Sequence, residues 1–277
     1  MDKNGYESAL KFTRDIIDFF NYLVEQHGEV KFIKYGNNRS NEEKYIYHDF
    51  IYYCFTKSIR SLYASIDLAE KYYREDCLII LRTVYENYLH IAHVLKEPEM
   101  IREYVEQTIG LEFGKYSYKI KENKRKNYNV VIDLNTEKEY PHGTSNGKRV
   151  KCSINKFDIK VHKIIYKYLS EHIHPNMLGS GNYRNKDDEH YLVESYALYL
   201  EVNFFLLYLC YILADAIYYY HIEYSEWNIE TITDEELMEY ELIIKKLRKK
   251  LLELLEECKV EDNIRNVFTI RIENLIK

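Results

Sequence analysis

The chain has 277 residues, a formal net charge of −6, and 30% charged against 46% hydrophobic residues. This length buries a sizeable core in one large domain or one domain with an insertion, and the second is the expected organisation. Three prolines and nine glycines are too few for a turn-rich sandwich or barrel, and the scattered Cys54, Cys77, Cys152, Cys210 and Cys258 suggest neither a disulfide framework nor a zinc knuckle.

In chain order, apolar spacing of three and four predicts helices near 5–27, 43–73, 75–96, 98–121, 157–173, 190–224, 234–257 and 261–276. Ser40 with Glu43, and Thr233 with Glu236, fit capping boxes. Between helices, 129–134 and 148–154 are β-branched runs flanking the turn-rich stretch 141–147, which predicts an inserted hairpin. The longest apolar run, Phe204 to Ala214, ends at Asp215 and is too short to span a bilayer; it predicts a buried central helix and no stable membrane insertion. The N-terminus lacks a signal-peptide pattern, so reduced thiols and a cytoplasmic location are expected. The fold class expected is mainly all-α, an up-and-down multi-helix bundle with a small β-hairpin. Its parts are an N-terminal helix and connector (1–42), a bundle core (43–224) with the hairpin insertion at about 122–156, and a C-terminal helical pair (225–277). Thirty tyrosines add core volume and, when buried, hydroxyls that need partners, so polar networks inside the bundle are expected.

Charge is uneven. Residues 115–167 hold 14 Lys and Arg against 5 Asp and Glu, a positive pole in an acidic chain. Lys121, Lys124, Arg125, Lys126, Lys148, Arg149 and Lys151 are the candidate contacts to RNA or a nucleotide, because phosphate neutralisation dominates such affinity. A solvated hairpin kept soluble by its lysines stays open as the alternative.

Two constellations carry candidate chemistry. On the third predicted helix, Arg82, Glu86, Leu89 and His93 fall on one stripe among apolar neighbours. An Arg and a Glu at this spacing decorate a surface helix for a few tenths of a kcal/mol, roughly, but inside a bundle such a pair needs further hydrogen bonds. The second is 166–176, where Ser170, His172 and His174 precede Pro175 at a helix end; imidazole there is suited to moving protons near neutrality. No metal set of clear spacing and no glycine-rich phosphate loop is legible, so neither a metal nor a cofactor is expected.

The segments IILRTVYENYLHIAHVL and YKYLSEHIHPNMLG resemble a bacterial helical family of unknown function, in which an R-x-x-x-E helix is followed by a Y-x-x-L-S-x-x-x-H turn. The resemblance covers roughly residues 45–220, and that family is in turn similar to the HEPN superfamily of helical bundles, many of them RNases of toxin–antitoxin and phage-defence systems. It implies Arg82, Glu86, Ser170 and His174 as the matching site residues, with His174 as general base or acid and Arg82 stabilising phosphorane charge. RNA as substrate and a homodimer follow from the same resemblance. The HEPN signature of Arg, a polar residue and a later His departs at Arg82, which has seven residues before His90. A literal match stands at Arg184 to His190, a spacing that chance supplies about once in such a chain. Arg184, His190, His93 and His172 are therefore secondary candidates. The alternative is a non-catalytic interaction or sensor module whose Arg/Glu/His cluster is a structural polar clamp.

Overall fold

The computed structural model describes residues 3–31, 42–143, 145–171, 184, 190, 200–225, 232–258 and 260–276. Among them are nine helices and one small sheet, the mainly α architecture expected with a minor β element. The helices are α1 (Lys3–His27), α2 (Glu42–Glu70), α3 (Arg74–Lys96), α4 (Met100–Glu112), α5 (Asn146–Lys151), α6 (Asp158–Glu171), α7 (Leu200–Ser225), α8 (Asp234–Glu257) and α9 (Asp262–Glu273); β1 (Tyr116–Ile120), β2 (Lys126–Asp133) and β3 (Glu139–Pro141) lie between α4 and α5.

α7 forms the axis. Its residues from Val202 to Ile217 are buried, with apolar side chains on every side rather than on one stripe, because α1, α2, α3 and α8 all pack on it. By length and composition this is the one helix among the described residues apolar enough to cross a membrane (mean hydropathy 1.7), yet 89% of its most apolar window is buried inside the protein. α2 lies along α3, α6 packs on α3 and α9, and α9 returns against α8. The box expected at α8 is present: Thr233 Oγ1 accepts from Glu236 N, and Glu236 Oε2 accepts from Thr233 N at 2.9 Å. The box at Ser40 lies outside the described residues.

The insertion differs from its expected form. The helix predicted over 98–121 stops at Glu112, where Gly114 adopts a left-handed φ of 72° and turns the chain into β1. The segment 148–154 is not a strand: Ser145 caps α5 through a bond from Lys148 N, and that cap outweighs the β-branched composition. β2 pairs instead with β1 and β3, both antiparallel, with Val131 opposite Tyr118 and Tyr140. The sheet rests on α4 through a close approach at Gly110, where an added Cβ would stand 2.3 Å from Tyr116 Cδ2. Gly110→Ala is therefore expected to cost about 1–3 kcal/mol by overpacking, against the gain of about 1 kcal/mol that alanine normally brings to a helix. Urea unfolding of the variant checks it, and a stabilised protein would contradict the contact.

Candidate functional site

α3 and α6 run antiparallel and are joined by a row of polar rungs. Arg74 NH2 donates to Tyr168 Oη at 2.8 Å, Arg82 NH2 to Tyr166 Oη at 2.7 Å, Tyr85 Oη meets His162 Nδ1 at 3.2 Å, and Tyr88 Oη donates to Asp158 Oδ2 at 2.6 Å. On α6 the partners Asp158, His162 and Tyr166 recur every fourth residue, one face of the helix, and Ser170 is next in the series. Burial relaxes along the row, from Asp158 in the core to His162, Tyr166 and Ser170 at half-exposed positions.

Arg82 holds a half-exposed rung within this row, and the Arg74 rung beyond it is more buried, at 11% side-chain exposure. Arg82 Nε donates to Glu86 Oε1 at 3.0 Å, and its guanidinium lies 4.8 Å from the centre of the Tyr166 ring, a cation–π contact. Glu86 Oε1 also accepts from Asn146 Nδ2 at 3.0 Å, and Asn146 Oδ1 from Arg149 NH1 at 2.6 Å, so the network runs from α6 across α3 to α5. Side-chain exposures of 23% for Arg82 and 34% for Glu86 make the pair neither surface decoration nor sealed core. Ser170 Oγ bonds back to the carbonyl of Tyr166, one turn from the residue that holds Arg82. Tyr166 stacks on His162 at 5.0 Å. Tyr166 entered the sequence reading as the first residue of the Y-x-x-L-S-x-x-x-H motif but not as a site residue, and His162 was not singled out, its four-residue spacing from Asp158 being the available signal. His172 and His174 lie outside the described residues. Of the match at Arg184 to His190, only the two end residues are described, Arg184 half-buried and His190 exposed.

His93 shares the Arg82 stripe but lies about three turns further along α3, outside the Arg82 contacts. Its Nε2 meets Glu97 Oε2 at 3.3 Å, and its ring lines a cavity of about 150 Å³ with His90, Glu103, Tyr104, Lys148 and Arg149. Burial, with Arg149 and His93 nearby, holds His90 neutral, its pKa pushed down to about 3. Burial also lowers the Arg149 pKa. The basic candidates thus divide. Lys148, Arg149 and Lys151 are on α5, with Arg149 in the Glu86 network, whereas Lys121, Lys124, Arg125 and Lys126 lie at the exposed β1–β2 turn.

The buried end of the row was also missed. Arg271 of α9 is fully buried, donating to Asp158 Oδ1 at 2.7 Å, to Asp215 Oδ2 at 2.9 Å and to Tyr88 Oη at 3.1 Å. Ser153 Oγ donates to Asp158, and Ile276 N to Asp215 Oδ1 at 3.0 Å. Burial raises the Asp215 pKa and Arg271 opposes that rise. This is a charge cluster with its hydrogen bonds completed, anchoring four helices.

A family of unknown function, DUF5677, matches residues 48–191, just over half of the chain. The chain belongs to this family. The DUF5677 segment holds Arg82, Glu86, Tyr166, Ser170 and Asp158, whereas Asp215 and Arg271 lie beyond it. No curated protein and no solved structure matches the chain.

Proposed function

We propose that this DUF5677 member is a HEPN-like, metal-independent endoribonuclease, a cytoplasmic toxin or phage-defence effector that acts on RNA as a homodimer. The observation that carries the reading is the setting of Arg82. Glu86 and Tyr166 fix its guanidinium on a half-exposed rung of a polar row whose α6 face continues to Ser170, and Arg149 of α5 joins the same network through Asn146 and Glu86. A positioned, partly desolvated guanidinium suits the charge that builds on phosphorus in the transition state. In the proposed reaction His174 takes the proton of the RNA 2′-hydroxyl, the 2′-oxygen bonds to phosphorus, and the 5′-oxygen leaves with a proton. The products are a 2′,3′-cyclic phosphate and a free 5′-hydroxyl, with no metal or redox partner required.

The test is cleavage of labelled single-stranded RNA in the presence of EDTA, alongside growth arrest on expression. Arg82→Ala is expected to lower the cleavage rate by about 10²-fold, and His174→Ala by at least as much. Equal cleavage and equal toxicity of wild type and both variants would overturn the assignment.

The rungs favour a second reading, a non-catalytic sensor or interaction module in which Arg82 clamps α3 to α6. In that case Arg82→Ala lowers the melting temperature while the wild type shows no salt-dependent RNA binding.

A further inference from the structure

We propose that His93, Glu97 and Cys152 form a binding site for a borderline divalent cation of the zinc class, with ligands distinct from Arg82 and Glu86. The three ligand atoms, His93 Nε2, a Glu97 carboxylate oxygen and Cys152 Sγ, all lie within 4.8 Å of one another. Nitrogen, carboxylate oxygen and thiolate together are the donor set of zinc rather than of magnesium or calcium, which take oxygen alone. Zinc bonds of about 2.0–2.3 Å in a tetrahedron place ligand atoms roughly 3.3–3.8 Å apart. The His93 to Glu97 separation of 3.3 Å already meets this, and Cys152 needs a shift on the order of 1 Å.

The backbone supports the arrangement. His93 and Glu97 are one turn apart at the end of α3, and the Glu97 amide bonds to the His93 carbonyl at 2.9 Å ahead of Pro98. Cys152 follows α5, and two residues later Ile154 N donates to Ala92 O at 3.0 Å, fixing the Cys152 segment alongside α3. The site is accessible. Glu97 is 35% exposed at its side chain, and Cys152 is the one cysteine of five that is not buried. Three protein ligands leave one tetrahedral position for water or an incoming ligand. His93 lines the same cavity as Lys148 and Arg149, which would draw that ligand from among anions.

Cobalt(II) titration of the metal-stripped, full-length protein under reducing, anaerobic conditions tests the site. One equivalent is expected to bind, with visible bands of four-coordinate cobalt and a near-ultraviolet thiolate charge-transfer band, both removed by added zinc. Cys152→Ser is expected to abolish the charge-transfer band, and Glu97→Gln to weaken cobalt affinity by more than about tenfold. Circular dichroism of both variants without metal checks that they fold. Glu97→Gln, on a partly exposed side chain, keeps the test open should Cys152→Ser fail to fold. Absence of a thiolate band in the wild type, or a band unchanged in Cys152→Ser, overturns the proposal. Since no step assigned to Arg82 uses these residues, a negative result leaves the ribonuclease reading standing.

Discussion

Arg271→Ala is expected to destabilise the protein by about 3–5 kcal/mol, since removing one partner of a buried ion cluster leaves uncompensated charge. Arg271 is 0% exposed and bridges Asp158 of α6 and Asp215 of α7, while Tyr88 of α3 bonds to both it and Asp158. Without the guanidinium, two carboxylates stay in the core with only hydroxyl and amide donors. Arg271→Lys keeps the charge but not the planar fork, so it should recover only part of the loss. Urea unfolding followed by circular dichroism measures both. A loss below about 1 kcal/mol for Arg271→Ala would show that the cluster contributes little beyond an apolar replacement.

The second large effect is a fall in stability on acidification, carried by His221. Its Nε2 lies 3.0 Å from Tyr52 Oη, and the ring packs against His27 at 5.2 Å. Burial first, then the nearby His27 and His48, pushes its pKa from 6.5 down to about 3, with Glu236 opposing. The sign follows from proton counting. Above pH 6.5 the ring is neutral in both states and adds no slope. Between pH 6.5 and about 3 the unfolded chain binds a proton that the folded chain refuses, so stability falls as pH falls. The slope approaches about 1.4 kcal/mol per pH unit. Other groups titrate in this range, so the check is the difference between wild type and His221→Gln. The variant is expected to show the shallower dependence from pH 6 to 4, at roughly those bounds of the window; parallel curves would remove His221 from the account.

Periodicity made most helices legible because the bundle uses amphipathic faces, and the Phe204–Ala214 run correctly marked the buried axis. The insertion was misread where two local signals competed. Val150 and its neighbours look like a strand, but one serine cap decides the start of α5. The Arg82–Glu86 pair was legible from its four-residue spacing, since helix geometry enforces that contact. Arg271 was not, because its partners lie 113 and 56 residues away in sequence and no local pattern records them. Similarly, His93, Glu97 and Cys152 meet only once α5 has folded back on α3.

The late position of Arg271 in the chain bears on the order of folding during synthesis. Asp158 and Asp215 leave the ribosome before their counter-charge, so α6 and α7 cannot close on ionised carboxylates at low cost until α9 arrives. In the interval α7, the most apolar helix described, lacks its final lid. The packing of α7 is therefore completed only once residues 226–273 have been made, roughly 2–10 s at 5–20 residues per second.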